Sequence, residues 1–281
     1  MQVERPLKNT DMAAPYLFNL HKMKTFITND LVHYQFKVDN SPIEVNALLG
    51  NQISLRFTGI IHCVDCGKIT KKSFGQGFCY TCFMASPLNS PCILHPELCE
   101  AHIGKGRNPA WEEEHHNRPH FVYLANSGGI KVGVTREDQI PTRWIDQGAD
   151  SAVIFARTPH RRMAGEIEVF MKNFISDKTN WRKMLQNIPD TTVDLIEQKE
   201  QIAEQLPPAA QEYYIEDNST MHLHYPFLHN LTKISSVGLE KKNEINGKVI
   251  GIKGQYILFD TNEVINIRNH QGFQVALTVH A

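Results

Sequence analysis

The sequence predicts an α+β protein in which small β-rich ends flank a cysteine-rich insert and a mixed middle. Three observations carry this. Strand-like alternation fills residues 25–62 and returns toward the end of the chain. All six cysteines fall between positions 63 and 99. Residues 119–190 read as strand, strand, helix, strand, helix.

The elements follow in order. "LVHYQFKV" and "NQISLRFTGII" alternate apolar and polar residues, so residues 1–62 form an N-terminal β region. Residues 63–118 form the cysteine-rich region, in which Pro96 suits the first position of a helix. "HFVYLAN" and "IKVGVT" then make a hairpin across Ser127-Gly128-Gly129. "IPTRWIDQG" is a short helix with Pro141 near its start and Gly148 at its stop. "SAVIFAR" is a third strand. Thr158-Pro159 reads as an N-cap and first helical position, opening a helix to about residue 176. Met163, Ile167, Phe170 and Phe174 mark that helix's core face. Trp181 reads as a core anchor. An acidic helical connector spans 191–220, its helix running over 193–206 until Pro207-Pro208 stops it. The C-terminal β domain, 221–281, contains "GKVIGIKGQYILF" and "EVINIRNHQGFQVALTV", and both ends are expected to be barrel-like.

Composition narrows the function. A hydrophobic content of 41% and a charged content of 21% are those of an ordinary globular chain. The longest apolar runs fall far short of a membrane span, and "MQVERPLKNT" has no signal-peptide core, so a cytoplasmic protein without membrane partners is expected. Reduced thiols there favour metal over disulfides. The net charge of −1 offers no global basic field. Its distribution is uneven: residues 118–190 hold eleven Lys/Arg and eight Asp/Glu, whereas residues 191–220 hold one Lys and seven acids.

Four cysteines form Cys63-x2-Cys66-x12-Cys79-x2-Cys82. Each Cys-x-x-Cys brings two thiolates to one tetrahedral ion, and four protein ligands close the site, so structural zinc is expected. Gly67, Gly75 and Gly77 suit the knuckles. In "PCILHPELCEAH", a helix from Pro96 would put Cys99 and His102 on one face. Cys92, Cys99 and His102 then predict a second zinc, its fourth ligand being His95, His115 or His116.

The order of elements over 119–190 resembles the GIY-YIG nuclease domain, with a three-stranded antiparallel sheet and helices. "VYL", with Tyr123, matches the first tripeptide. "KVG" matches the second, with Lys131 where a tyrosine usually stands. Arg143 matches the helical arginine, and Glu168, or else Glu166, the metal-binding glutamate. The stretch from the double Cys-x-x-Cys through "RWIDQGA" also resembles an uncharacterised bacterial family that joins a zinc ribbon to a GIY-YIG-like domain.

The resemblance implies a divalent-metal-dependent endonuclease acting on DNA or RNA. Glu168 would hold Mg²⁺ or Mn²⁺ with waters and substrate phosphate, Arg143 would bridge phosphate oxygens, and Tyr123 would orient water. A carboxylate at 168 shares a helical stripe with Ala164, Met171 and Ile175, where it needs a partner, and a metal would supply one. Lys131 can bind phosphate as a point charge, but it is a poor base unless its pKa is depressed. Lys131, Arg136, Arg143, His160 and Arg161 are the expected nucleic-acid contacts, and Lys68, Lys71 and Lys72 could touch phosphate from the knuckles. Two other readings compete: a non-catalytic nucleic-acid-binding protein on a nuclease scaffold, and a zinc-stabilised protein-interaction module.

Overall fold

The computed structural model describes residues 14–38, 41–178, 180–188 and 194–280. The chain opens with β1 (Tyr16–Asn19), β2 (Lys24–Thr28), β3 (Leu31–Phe36), β4 (Ile43–Glu44) and the long β5 (Gln52–His62). Alternation along β3 is as the sequence predicts: Val32, Tyr34 and Phe36 are buried and the residues between them are not. The cysteine-rich region contributes β6 (Ile69–Thr70), α1 (Tyr80–Ala85) and α2 (Pro109–His116), joined by single 3-10 turns.

The middle supplies β7 (His120–Asn126), β8 (Ile130–Arg136), α3 (Thr142–Asp146), β9 (Ser151–Thr158) and α4 (Arg161–Met171). Then come α5 (Trp181–Leu185), α6 (Leu195–Ala203) and α7 (Pro208–Gln211). The final part holds β10 (Met221–His222), β11 (Ser235–Val237), β12 (Glu244–Lys253), β13 (Tyr256–Phe259), β14 (Glu263–Asn266) and β15 (Phe273–His280). The expected start of α6 at residue 193 lies outside the described residues; Asp194 caps it by accepting from the Ile196 and Glu197 amides.

Strands from both β-rich ends share one 8-stranded sheet, in the order β1-β15-β5-β12-β13-β14-β11, with β6 added to β5, while β2, β3 and β4 form a separate 3-stranded sheet. That path is open, so the barrel-like ends expected from sequence give way to one sheet built from both. The long β5 lies between β12 and β15, antiparallel to both. The middle sheet runs β10-β9-β7-β8, four strands where three were expected, because the two-residue β10 adds to the edge of β9.

Every residue of β7 is buried, which is why "HFVYLAN" does not alternate. Val122 and Leu124 face α4 and α6, whereas Tyr123 and Ala125 join Trp144 and the large sheet in the main core. A buried ion pair from Lys253 to Asp150 ties β12 to this middle sheet. Trp181 is half-buried and stacks on Tyr256 with ring centroids 6.0 Å apart.

Helix α4 departs from expectation at both ends. His160, not Thr158, is its N-cap, accepting from the Met163 amide at 3.3 Å, while the Thr158 side chain is turned back to the His120 and His160 carbonyls. The helix stops at Met171, so Phe174 lies past its end and is exposed; Ala164, Ile167, Glu168 and Met171 form the buried stripe. Gly165 lies in that stripe, and a Cβ there would overlap the backbone of Pro96 and Glu97. Gly to Ala in an open helix would add roughly 1 kcal/mol. Here backbone cannot yield, and Gly165→Ala is expected to cost about 1–3 kcal/mol in a urea titration. An increase in stability would show that α4 and the 96–98 turn are not in contact.

Candidate metal centres and a basic cleft

The first centre is built locally. The Gly67 amide donates to the Cys63 carbonyl at 2.9 Å, turning the chain so that Cys66 faces back; Gly67 takes φ +72°, which a glycine adopts without strain. Phe74 and Phe78 exchange backbone hydrogen bonds, and α1 starts directly after Cys79, carrying Cys82 round to the same point. Ligand atoms of Cys63, Cys66, Cys79 and Cys82 all lie within 4.8 Å of one another, with Cys66 and Cys79 Sγ atoms 3.9 Å apart. Zn–S bonds of about 2.3 Å give tetrahedral edges of about 3.8 Å, so the four thiols fit one structural ion. Burial opposes ionisation of Cys63, but the Cys66, Cys79 and Asp65 backbone amides outweigh it and lower its thiol to about 7.

The second group is Cys92, Cys99, Glu112 and His116, all four buried and likewise within 4.8 Å of one another. Cys92 Sγ is 3.7 Å from His116 Nδ1, which is 3.7 Å from Glu112 Oε2. Glu112 and His116 stand one turn apart on α2, so one helical face supplies two ligands. Glu112 Oε1 accepts from Ser90 Oγ at 3.1 Å and from the Arg107 amide at 2.9 Å, which fixes the carboxylate's direction. Hydrogen bonding between the two thiols pushes Cys99 down and Cys92 up. Two thiols, an imidazole and a carboxylate converging out of water are donors that could hold one divalent ion.

His102 stands apart from this group. No helix runs from Pro96 through 102: Cys99 is extended, with ψ 130°, and separates two isolated 3-10 turns. His102 therefore stacks on His160, ring centroids 4.7 Å apart. His95 is largely exposed beside Glu97, and His115 donates to the Trp111 carbonyl at 2.8 Å. Of the three candidate fourth ligands, His116 is the one brought to the cysteines. Glu112 was missed, and its signal was the Glu-x3-His spacing, readable once 109–116 is seen as a helix.

Tyr123, Lys131, Arg143 and Glu168 do come into one electrostatic neighbourhood. Lys131 lies opposite Ala125 and Gly133 opposite Tyr123, so lysine and tyrosine share a face of the sheet. The phenol is fully buried and donates to Gln147 Oε1 at 2.7 Å; burial raises its pKa against the adjacent Arg143 guanidinium. Gly133 is required beneath it, since a Cβ there would sit 2.5 Å from the Tyr123 hydroxyl. Burial, reinforced by Arg143, lowers Lys131 from 10.5 to about 7, against the pull of Glu168 and Asp177. Glu168 is also buried, which raises its pKa, and it pairs with Lys172 at 3.4 Å on the next turn of α4. Lys172 in turn reaches Asp177 at 3.2 Å. Glu166 is exposed and pairs with Arg162.

Beside this cluster is an open cleft of about 430 Å³. Its cationic side chains are Lys22, Arg136, Arg143, Arg161 and Arg268, drawn from the N-terminal segment, the middle sheet's elements and the C-terminal part. Its only acidic lining residue among the described residues is Asp146, already paired with Lys22 and accepting from Gln255 at 2.9 Å. Arg143 has a buried Nε with no hydrogen-bond partner. Its charge depresses both Arg161 and Arg268, for which burial is the larger cause. Arg161 donates to the Cys92 and Ile93 carbonyls at 2.9 and 3.0 Å, so the second cysteine group is tied directly to the cleft wall. His116 lines the same wall.

Of the expected nucleic-acid contacts, Arg136, Arg143 and Arg161 line this cleft, whereas Lys131 is buried and does not line it and His160 serves as a helix cap. Lys68, Lys71 and Lys72 are exposed on the knuckle. Lys22 and Arg268 were not anticipated, because only the tertiary fold carries them there. No helix among the described residues is long and apolar enough to cross a membrane.

A family described as "Protein of unknown function (DUF2797)" matches residues 50–275, and the chain belongs to that family. The match spans both candidate metal centres, the middle sheet and most of the large sheet. No curated protein and no solved structure matches the chain.

Proposed function

We propose that the protein binds the phosphodiester backbone of DNA or RNA in the basic cleft, with zinc at both centres holding the cleft's walls. The observation that carries this is Arg143, a guanidinium with an unpartnered, buried Nε, crowded by Arg161 and Arg268 in a cleft whose sole carboxylate among the described residues is already paired. Gathering like charges is unfavourable until an anion arrives, and a phosphate oxygen pair matches the guanidinium fork. The four-cysteine centre would be structural zinc within a zinc ribbon, and the Cys92, Cys99, Glu112 and His116 set suits the same ion with mixed donors. Thiols left free for metal fit a reducing compartment such as the cytoplasm.

On this reading the middle is a GIY-YIG-like scaffold used for binding. Phosphodiester cleavage with Mg²⁺ or Mn²⁺ is the second reading, favoured by the depression of Lys131 to about 7, the condition under which a lysine can serve as a base. Against it, Glu168 is engaged by Lys172 and does not line the cleft, and Tyr123 is sealed from solvent.

Fluorescence anisotropy with labelled oligonucleotides tests the proposal. Arg143→Gln is expected to weaken binding about tenfold, within the range of a single charged phosphate contact. Binding that is unchanged in Arg143→Gln and in Arg268→Gln would remove the cleft from consideration. Metal-dependent strand scission lost in Glu168→Gln would favour cutting over binding alone.

A further inference from the structure

The cleft has a second wall of different chemistry. Leu88, Ile93, Trp111 and His115 line it together with the arginines, and Leu88 is 47% exposed. Trp111 and His115, one turn apart on α2, are stacked with ring centroids 4.1 Å apart and planes 11° from parallel. The stack is locked from both ends: Asn108 caps α2 by accepting from the Trp111 amide, and the His115 ring donates to the Trp111 carbonyl at 2.8 Å. Glu112 and His116, each the next residue after one of this pair, belong to the second candidate metal group, so a bound ion would hold the platform in place.

A duplex presents phosphates outward and keeps its bases stacked inside, so a rigid aromatic plane in the same cleft as the phosphate donors has nothing to meet. A single strand presents both at once: its backbone follows a basic groove while unpaired bases stack on aromatic rings. We infer that the cleft takes single-stranded nucleic acid, with the backbone on Arg143, Arg161 and Arg268 and an unpaired base on the Trp111–His115 stack. This rests on the phosphate-binding reading of the cleft and names its substrate class.

The test compares a labelled oligodeoxythymidine, a duplex of the same length and heparin, in one buffer. Wild type is expected to favour the single strand over the duplex by about tenfold or more, the scale of one base–aromatic stack. Trp111→Leu should lose that preference while leaving duplex and heparin binding unchanged, and Trp111→Phe should recover most of it. Zinc content of each variant checks that the neighbouring ligands remain in place. In a Trp181→Phe background the oligonucleotide should also quench tryptophan emission, and heparin should not. Binding that needs Arg143 but ignores Trp111, or that favours the duplex, overturns the single-strand inference and leaves the phosphate cleft standing. Absence of binding to either nucleic acid overturns both.

Discussion

Native mass spectrometry of the purified protein should find two zinc ions per chain, and a Cys92→Ser, Cys99→Ser double variant should retain one. Chelation of both ions should unfold the cysteine-rich region outright. The magnitude follows from two comparisons. Structural zinc contributes on the order of 10–16 kcal/mol to small folded units, whereas a whole domain is stable by only about 5–15 kcal/mol. Beyond buried Phe78, the packing of the 96–98 turn on α4 and the Arg107 hydrogen bonds to the Phe83, Ser86 and Asn89 carbonyls, the 63–103 stretch has a small apolar core: Ile69, Tyr80, Met84, Leu88, Leu94, Leu98 and Ile103 are all exposed, and its buried cluster comprises Cys92, Cys99 and Ala101. Loss should spread to the cleft, since Arg161 is anchored on the Cys92 and Ile93 carbonyls. A metal-free chain with an unchanged melting profile would contradict this account of both centres.

The second large effect is a pH dependence. Lys131 has a folded pKa near 7 against an ordinary value of 10.5. Between these values the unfolded chain keeps the proton and the folded chain releases it, so this group makes stability rise with pH across that window. Below about pH 7 the lysine is charged in both states and its full burial penalty applies. At about 1.4 kcal/mol for each pH unit, the penalty is on the order of 5 kcal/mol. Lys131→Met is therefore expected to be more stable than wild type at pH 6 to about 7, with the gap closing as the pH approaches about 10. A gap that stays constant over that range would show the ammonium to be solvated, contrary to its 5% exposure.

What could be read from sequence divides by distance along the chain. The four-cysteine centre was legible because each ligand pair is two residues apart and the geometry is local. Cys92 and Cys99 were legible as candidate ligands, but the residues grouped with them were not. A helix was assumed through Cys99, and an extended residue there turns His102 away, while Glu112 and His116 arrive on a separate helix. The order of elements in the middle was readable from hydrophobic pattern and turn residues. Its environment was not, because the full burial of β7 depends on the large sheet packing against its second face. The joining of the chain's two ends was equally hidden: Phe57 on β5 pairs with Val275 on β15, a register no local pattern records. The cleft is the extreme case, since Lys22 and Arg268 meet Arg143 only after that sheet has formed.

The most direct test of phosphate binding in the cleft is the salt dependence of oligonucleotide affinity for wild type and Arg143→Gln, at matched zinc content. The logarithm of the affinity should fall linearly with the logarithm of salt concentration, and the variant's slope should be shallower by about one. Equal slopes, or no detectable binding at about 50 mM salt, would contradict the account.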